Sequence, residues 1–226
     1  MRKLTNRRKV ILVLIFLFTG HLPLVTWGAE KYKVGDKLFV SPTLGVNMRK
    51  APDIKASILT NLNFNTLVTI VADSLPAKPF QLSVPDFNSG KLTLQGHWVK
   101  VTVGNTTGYI FDGMLSHFKG LKLGIYEEEP YYIALFGKPR LQIIKKSKNI
   151  QGRKLDYETK IMSYPRGLVL ESTFVDDCYD AIYTFNISFN ETYWLVHRLL
   201  LDADAVQNVK FKKEKDKTIL SFYSCT

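Results

Sequence analysis

The stretch GVNMRKAPDIKAS, residues 45–57, carries the reading of the fold. Val46 and Met48 alternate with Asn47 and Arg49, the period of a strand with one apolar face. Pro52 then closes it, because proline has no N–H for a ladder and pushes Ala51 toward extended backbone. Arg49, Lys50 and Pro52 are therefore expected to be scaffold, a strand end and its turn, and not catalytic groups. Upstream lies DKLFVSPTLG, residues 36–45. Downstream come SILTNLNFNTLVTIVAD, 57–73, and GHWVKVTVGNTTGYIFDGMLS, 96–116. These short β-branched segments, separated by Gly, Asn, Asp and Pro, predict a small all-β barrel. Val99, Val101 and Val103 share one face of a strand, and Trp98, Lys100 and Thr102 the other.

The connection from Ala72 to Gly96 is far longer than the ordinary loop of about 4 to 6 residues. Inside it, FQLSVPDFNSGKLTLQ, residues 80–95, alternates Leu82, Val84, Leu92 and Leu94 with polar neighbours around the turn PDFNSG. It reads as an inserted β-hairpin.

The order of these residues resembles the bacterial SH3-like domain family over roughly residues 36–116. Val46-Asn47-Met48-Arg49-Lys50-Ala51-Pro52 is similar to the family's apolar-Asn-apolar-Arg run ending in Pro. Ile58-Leu59, then Leu62-Asn63-Phe64-Asn65, then Leu67 to Val71 are similar to its apolar step, turn and second strand. Trp98-Val99-Lys100-Val101, Gly104 and Gly108-Tyr109-Ile110-Phe111, ending at Leu115, resemble its closing hairpin. Asn65 stands where the family commonly has Gly, a replacement that tolerates left-handed backbone. The resemblance implies a binding module for a cell-wall peptide, an envelope protein or an attached domain.

The N-terminus has five cations and no anion in its first nine residues, an apolar run from Val10 to Phe18, then Gly20, Pro23, Gly28 and Ala29. That is the layout of a secretory signal peptide over residues 1–28. The apolar run is short for the roughly 20 residues of a spanning helix, so no stable membrane span is expected after cleavage, and the mature chain is expected in the periplasm or outside the cell. Losing those cations lowers the net charge from +11 to +6, an excess spread evenly along the chain. Nucleic-acid binders concentrate their charge on one face, so nucleic acid is not the expected partner. The cluster KFKKEKDK, residues 210–217, reads as the solvated ends of a hairpin.

Residues 30–116 are thus assigned to the barrel and 117–226 to a second, α+β domain. YEEEPYYIALFGKP, residues 126–139, places acids ahead of an apolar segment closed by Gly137 and Pro139, a short helix. LQIIKK, LDYETKIMSY, GLVLESTFV, AIYTFNISF, TYWLVHRLLL, NVKFKK and TILSFY follow as strand-like segments, giving a helix on an antiparallel sheet.

Catalytic signatures are sparse. There is no paired-histidine metal motif, glycine-rich phosphate loop or Gly-x-Ser-x-Gly elbow, so no metal, cofactor or enzymatic activity is expected. One enzyme alternative exists: cell-wall cysteine peptidases often carry SH3-like domains, and DDCYDA, residues 176–181, superficially resembles their nucleophile region, with Cys178 as nucleophile and His197 as base. The residues after the cysteine depart from that pattern. The competing expectation is a disulfide, since Cys178 and Cys225 are the only cysteines of a chain expected to be exported. A third alternative is a structural assembly subunit.

Trp98, Tyr109 and Phe111 point away from Val99 and Ile110 by alternation, which puts them on the outside of the barrel, and the hairpin adds Phe80 and Phe87. These five aromatics are the expected ligand-binding residues. The alternative is that the second domain covers them.

Overall fold

The computed structural model describes residues 32–72, 79–87, 90–121, 128–150, 152–175, 178–201 and 206–225. The segment read as a signal peptide, residues 1–28, lies outside them. Among the described residues no helix is long and apolar enough to cross a membrane.

Nine strands make up the first part: β1 (Lys37–Val40), β2 (Val46–Arg49), β3 (Ile58–Leu62), β4 (Leu67–Ala72), β5 (Phe80–Pro85), β6 (Lys91–Gly96), β7 (Trp98–Val103), β8 (Thr106–Phe111) and β9 (Leu115–Ser116). Seven form one sheet in the order β3-β2-β8-β7-β4-β1-β9. Alternation puts Leu38, Val40, Val46, Met48, Val68, Ile70, Val99, Val101 and Ile110 on a single side, where they form one buried core. The sheet therefore wraps around its own apolar face. It is an open barrel: β9 is two residues long, and among the described residues β9 pairs only with β1 and β3 only with β2, so no ladder joins the two ends. As predicted, β2 leaves its sheet at Arg49, where Arg49 Nη1 donates to Ala56 O at 2.7 Å and ties down the loop after Pro52.

β5 and β6 pair separately as the predicted two-stranded hairpin, Leu82 opposite Leu94 and Val84 opposite Leu92. Asn65 adopts φ 63°, the conformation that glycine supplies elsewhere. Its side chain does more than glycine would. Nδ2 donates to Gly120 O at 2.9 Å, and Oδ1 accepts the Gly120 N–H at 2.7 Å, so the turn clasps the chain leaving the barrel.

The second part holds α1 (Glu128–Phe136), β10 (Arg140–Ile150), β11 (Arg153–Tyr164), β12 (Leu168–Val175), β13 (Cys178–Phe185), α2 (Phe189–Leu201), β14 (Val206–Glu214) and β15 (Lys217–Cys225). The six strands form one antiparallel sheet in the order β10-β11-β12-β13-β15-β14. α1 is the expected helix: Glu128 and Glu129 complement the dipole of its first turn, and Gly137 at φ 87° ends it. It buries Tyr132 and Phe136 against Tyr164, Leu168 and Phe185. KFKKEKDK is the β14–β15 hairpin, turning at Lys215 and Asp216.

One prediction fails. TYWLVHRLLL, read as a strand with His197 inside it, is helix α2. Ser188 caps it, its Oγ accepting the Glu191 N–H at 3.2 Å and donating to Glu191 Oε2 at 3.2 Å, and Thr192 Oγ1 donates back to Ser188 O at 2.8 Å. Ser188-Phe189-Asn190-Glu191 has the Ser-x-x-Glu spacing of a capping box, which satisfies donors that a helix start leaves orphaned. The spacing of Tyr193, Val196 and His197 then follows a helical face.

Candidate functional site

The outer face of the first sheet carries two neighbouring rows with opposite environments. In the first, Trp98 lies opposite Phe111 across β7 and β8. Alternation aims both outward, as predicted, and there the hairpin and α2 cover them. Phe80 packs on both rings, 5.5 Å from Trp98 and 5.1 Å from Phe111, and Val84, Leu94 and Tyr193 complete a buried cluster in which Trp98 is 7% and Phe111 2% exposed. Phe87 lies half-buried between Tyr193, His197 and Phe211. The five aromatics therefore do not form one open face. Four of them fasten the hairpin and α2 to the barrel.

Polar contacts specify this seam. Tyr193 Oη donates to Pro85 O at 2.9 Å, Asn190 Nδ2 to Gln95 O at 2.8 Å and Trp194 Nε1 to Gly113 O at 2.7 Å. Each joins α2 to a carbonyl of the hairpin or of the turn after β8, groups that would be costly to bury without partners. Glu191 is buried beside them, Oε1 accepting the Ser116 hydroxyl at 3.2 Å, the His117 N–H at 2.8 Å and His117 Nδ1–H at 2.9 Å. The Glu191 carboxylate raises the pKa of His117 above its ordinary value, chiefly by that hydrogen bond. Asp112 is fully buried. His97 N–H donates to its Oδ1 at 2.7 Å and Tyr32 Oη to its Oδ2 at 3.0 Å, while desolvation pushes its pKa up to about 7. Gly96 is required here, because a Cβ would stand 1.9 Å from Asp112 Oδ1.

The second row is half-buried, with an exposed residue at its end. Ile58, Arg49, Tyr109 and Lys100 lie side by side on β3, β2, β8 and β7. Directly opposed residues have Cβ atoms about 4.5–5.5 Å apart. A half-buried phenol ring thus stands between two cations, with Ile58, 54% exposed, at the rim. Arg49 engages Ala56 O through Nη1 alone among its five N–H donors. Such a row suits an extended chain that carries a carboxylate and an apolar group. Sequence patterning places Tyr109 outward, while the part of Arg49 and Lys100 emerges only from strand order.

Cys178 and Cys225, opposite one another on β13 and β15, are joined as a disulfide, and no described cysteine is free. The sulfur of the cysteine-peptidase alternative is thus engaged, and His197, on α2, is surrounded by Phe87, Tyr193 and Trp194. Burial lowers its pKa. No cluster of metal-binding side chains occurs among the described residues. A cavity beneath α2, between Ser41, Phe64, Ser116 and Trp194, measures about 20 Å3, room for a water and not for a substrate.

Residues 44–116 match the model of the bacterial SH3 domain, about a third of the chain. No curated protein and no solved structure matches it. The match includes the hairpin and ends at Ser116, the last residue of β9. A domain of this kind suggests a protein- or peptide-binding module.

Proposed function

We propose that the protein is an exported, non-enzymatic binding protein of the cell envelope, whose SH3 domain holds a cell-wall peptide or a peptide segment of an envelope protein along the row Ile58, Arg49, Tyr109 and Lys100. The observation that carries this reading is the half-buried Tyr109 between the half-buried cations Arg49 and Lys100, with exposed Ile58 at the end of the row. The signal-like N-terminus and the paired cysteines support export. Trp98, Phe111, Phe80 and Phe87 keep a part in binding only indirectly, by holding the strands that display the row.

Co-sedimentation with purified peptidoglycan, together with titration of soluble peptidoglycan stem peptides, tests the reading. Tyr109→Ala and Arg49→Ala should each weaken retention at least tenfold. Absence of retention of the wild-type chain by either material would remove the cell-wall ligand. Retention unchanged in both variants would remove the row as the site.

A further inference from the structure

The second sheet has two edges, and they differ. β14 carries a register shift between Gln207 and Lys210, with Asn208 at φ 55°, and it buries Val209. A bulge of this kind spoils an edge for pairing with another chain. β10 has no bulge; its protection against like strands is lysine, a charge that still attracts an acidic one. Its ladder with β11 runs unbroken over eleven pairs, from Arg140 opposite Ser163 to Ile150 opposite Arg153. Its other side pairs with no described strand. From Arg140 to Asn149 every side chain is exposed except half-buried Ile144.

The side chains of this edge fall into two halves. Leu141 and Ile143, 56% and 47% exposed, share the face on which Met162 and Leu170 reach the core. The second half holds Lys145, Lys146 and Lys148, and with Arg140 the strand has four cations and no acid. Lys145 faces Glu158 across the ladder, but Lys146 and Lys148 face Tyr157 and Leu155. β11 pairs with β12 only from Glu158 to Tyr164, so this basic half projects as a two-stranded ribbon. Beside it opens a notch of about 570 Å3 lined by Lys145, Lys146, Asp156, Tyr157, Glu158 and Phe174.

From this we infer that the free edge of β10 is a docking strand for an extended segment of a partner protein, apolar in one half and acidic in the other, that joins the sheet as a seventh strand. Unpaired N–H and C=O groups along a regular edge supply the affinity, and alternate side chains supply the choice of partner. Charge selects the occupant. A second copy pairing antiparallel in full overlap would set Lys145 against Lys145, Leu141 against Asn149 and Ile143 against Ser147, so like charges meet at the centre, which is destabilising, and neither the apolar nor the basic half finds its complement. An acidic half meets Lys145, Lys146 and Lys148 favourably and leaves the apolar half to cover Leu141 and Ile143. In antiparallel addition the acidic half of the partner is its N-terminal half. This surface is separate from the SH3 row.

The test uses the full disulfide-bonded chain and a fluorescein-labelled ten-residue peptide with an Asp/Glu N-terminal half and an alternating Val/Thr C-terminal half. Saturable binding by anisotropy is expected, with amide exchange across residues 140–148 slowed at least tenfold. The same peptide N-methylated at alternate residues should bind at least tenfold more weakly. So should the wild-type peptide to an Ile143→Asp/Lys146→Glu chain, whose melting temperature should not move because both side chains are exposed. Tyr109→Ala should bind it as wild type does, which separates this site from the SH3 row. No saturation up to millimolar peptide, equal binding of a peptide with lysines in place of its acids, or full affinity in the double variant would overturn the inference. A concentration-dependent dimer that protects β10 without peptide would also overturn it, by giving the edge to a second copy.

Discussion

Trp98 and Lys100 stand on the same face of β7, one row apart, and their surroundings could hardly differ more. The row of Trp98 and Phe111 is sealed by Phe80 and Tyr193, whereas the row of Lys100 and Tyr109 faces outward beside Arg49 and Ile58. Alternation treats the two rows identically, because it reports only which side of a sheet a residue takes. The difference comes from the hairpin inserted between β4 and β7 and from α2, which bury the first row and leave the second half-buried. An outward aromatic is thus a binding candidate only where nothing later in the chain returns to cover it.

Removing a ring from the sealed row should have the largest effect. Trp98→Ala leaves a cavity among Phe80, Phe111 and Leu94, and substitutions of this type cost about 3–5 kcal/mol. Thermal denaturation should show a fall of roughly 6–20 °C, given about 2–4 °C per kcal/mol at this chain length. A fall of only a degree or two would mean that the hairpin and α2 do not hold the row closed.

The disulfide sharpens the same contrast from a distance. Cys178 and Cys225 close a loop with a sequence separation of 47 that contains α2, so replacing both with Ser should destabilise by roughly 3–4 kcal/mol in the chain-entropy model. Hydrogen exchange should then rise first in α2 and around Trp98, while β2 and β3 keep their protection. Uniform loss over both rows would show that the barrel depends as much as the seam on the second sheet.

Proton linkage marks the sealed end as well. Asp112 has a folded pKa of about 7 against an ordinary value near 3.8. Between those values the folded state holds a proton that the unfolded state has released, so stability falls as pH rises from about 4 to 7 and levels off above. His117, whose pKa Glu191 raises, adds a loss in the same direction as pH climbs through its folded value. Asp112→Asn should flatten most of the pH 4–7 slope in urea denaturation, an effect on the order of a few kcal/mol. An unchanged slope would remove Asp112 as its source.

The smallest effect is expected in the half-buried row. Tyr109→Ala removes a half-buried ring packed at the margin of the sealed cluster, and it should cost about 1 kcal/mol. A loss approaching that of Trp98→Ala would show that both rows are structural.

Local chemistry carried much of this protein. The strand end at Pro52, the hairpin around PDFNSG, the left-handed Asn65 and the helix closed by Gly137 are all decided by neighbours a few residues away, and each is legible because turn geometry and strand period are local properties. Helix α2 was legible in principle. Ser188 and Glu191 announce its start, but Tyr193, Trp194 and Val196 favour strands by propensity, and the longer-period signal loses when a short run of such residues is weighed by type.

The sequence by itself determined the barrel strands, the pairing of its only two cysteines and the side of the sheet each aromatic would take. Only the tertiary structure decided which outward aromatics are covered, that Arg49 and Lys100 flank Tyr109, that Asp112 is stripped of water, and that β10 rather than β14 keeps a regular open edge. Side is a matter of period along one strand. Cover, flanking and edge depend on strand order and on segments about 80 to 110 residues apart in the chain, such as Tyr193 on Pro85 and Trp194 on Gly113, and no local pattern encodes those meetings.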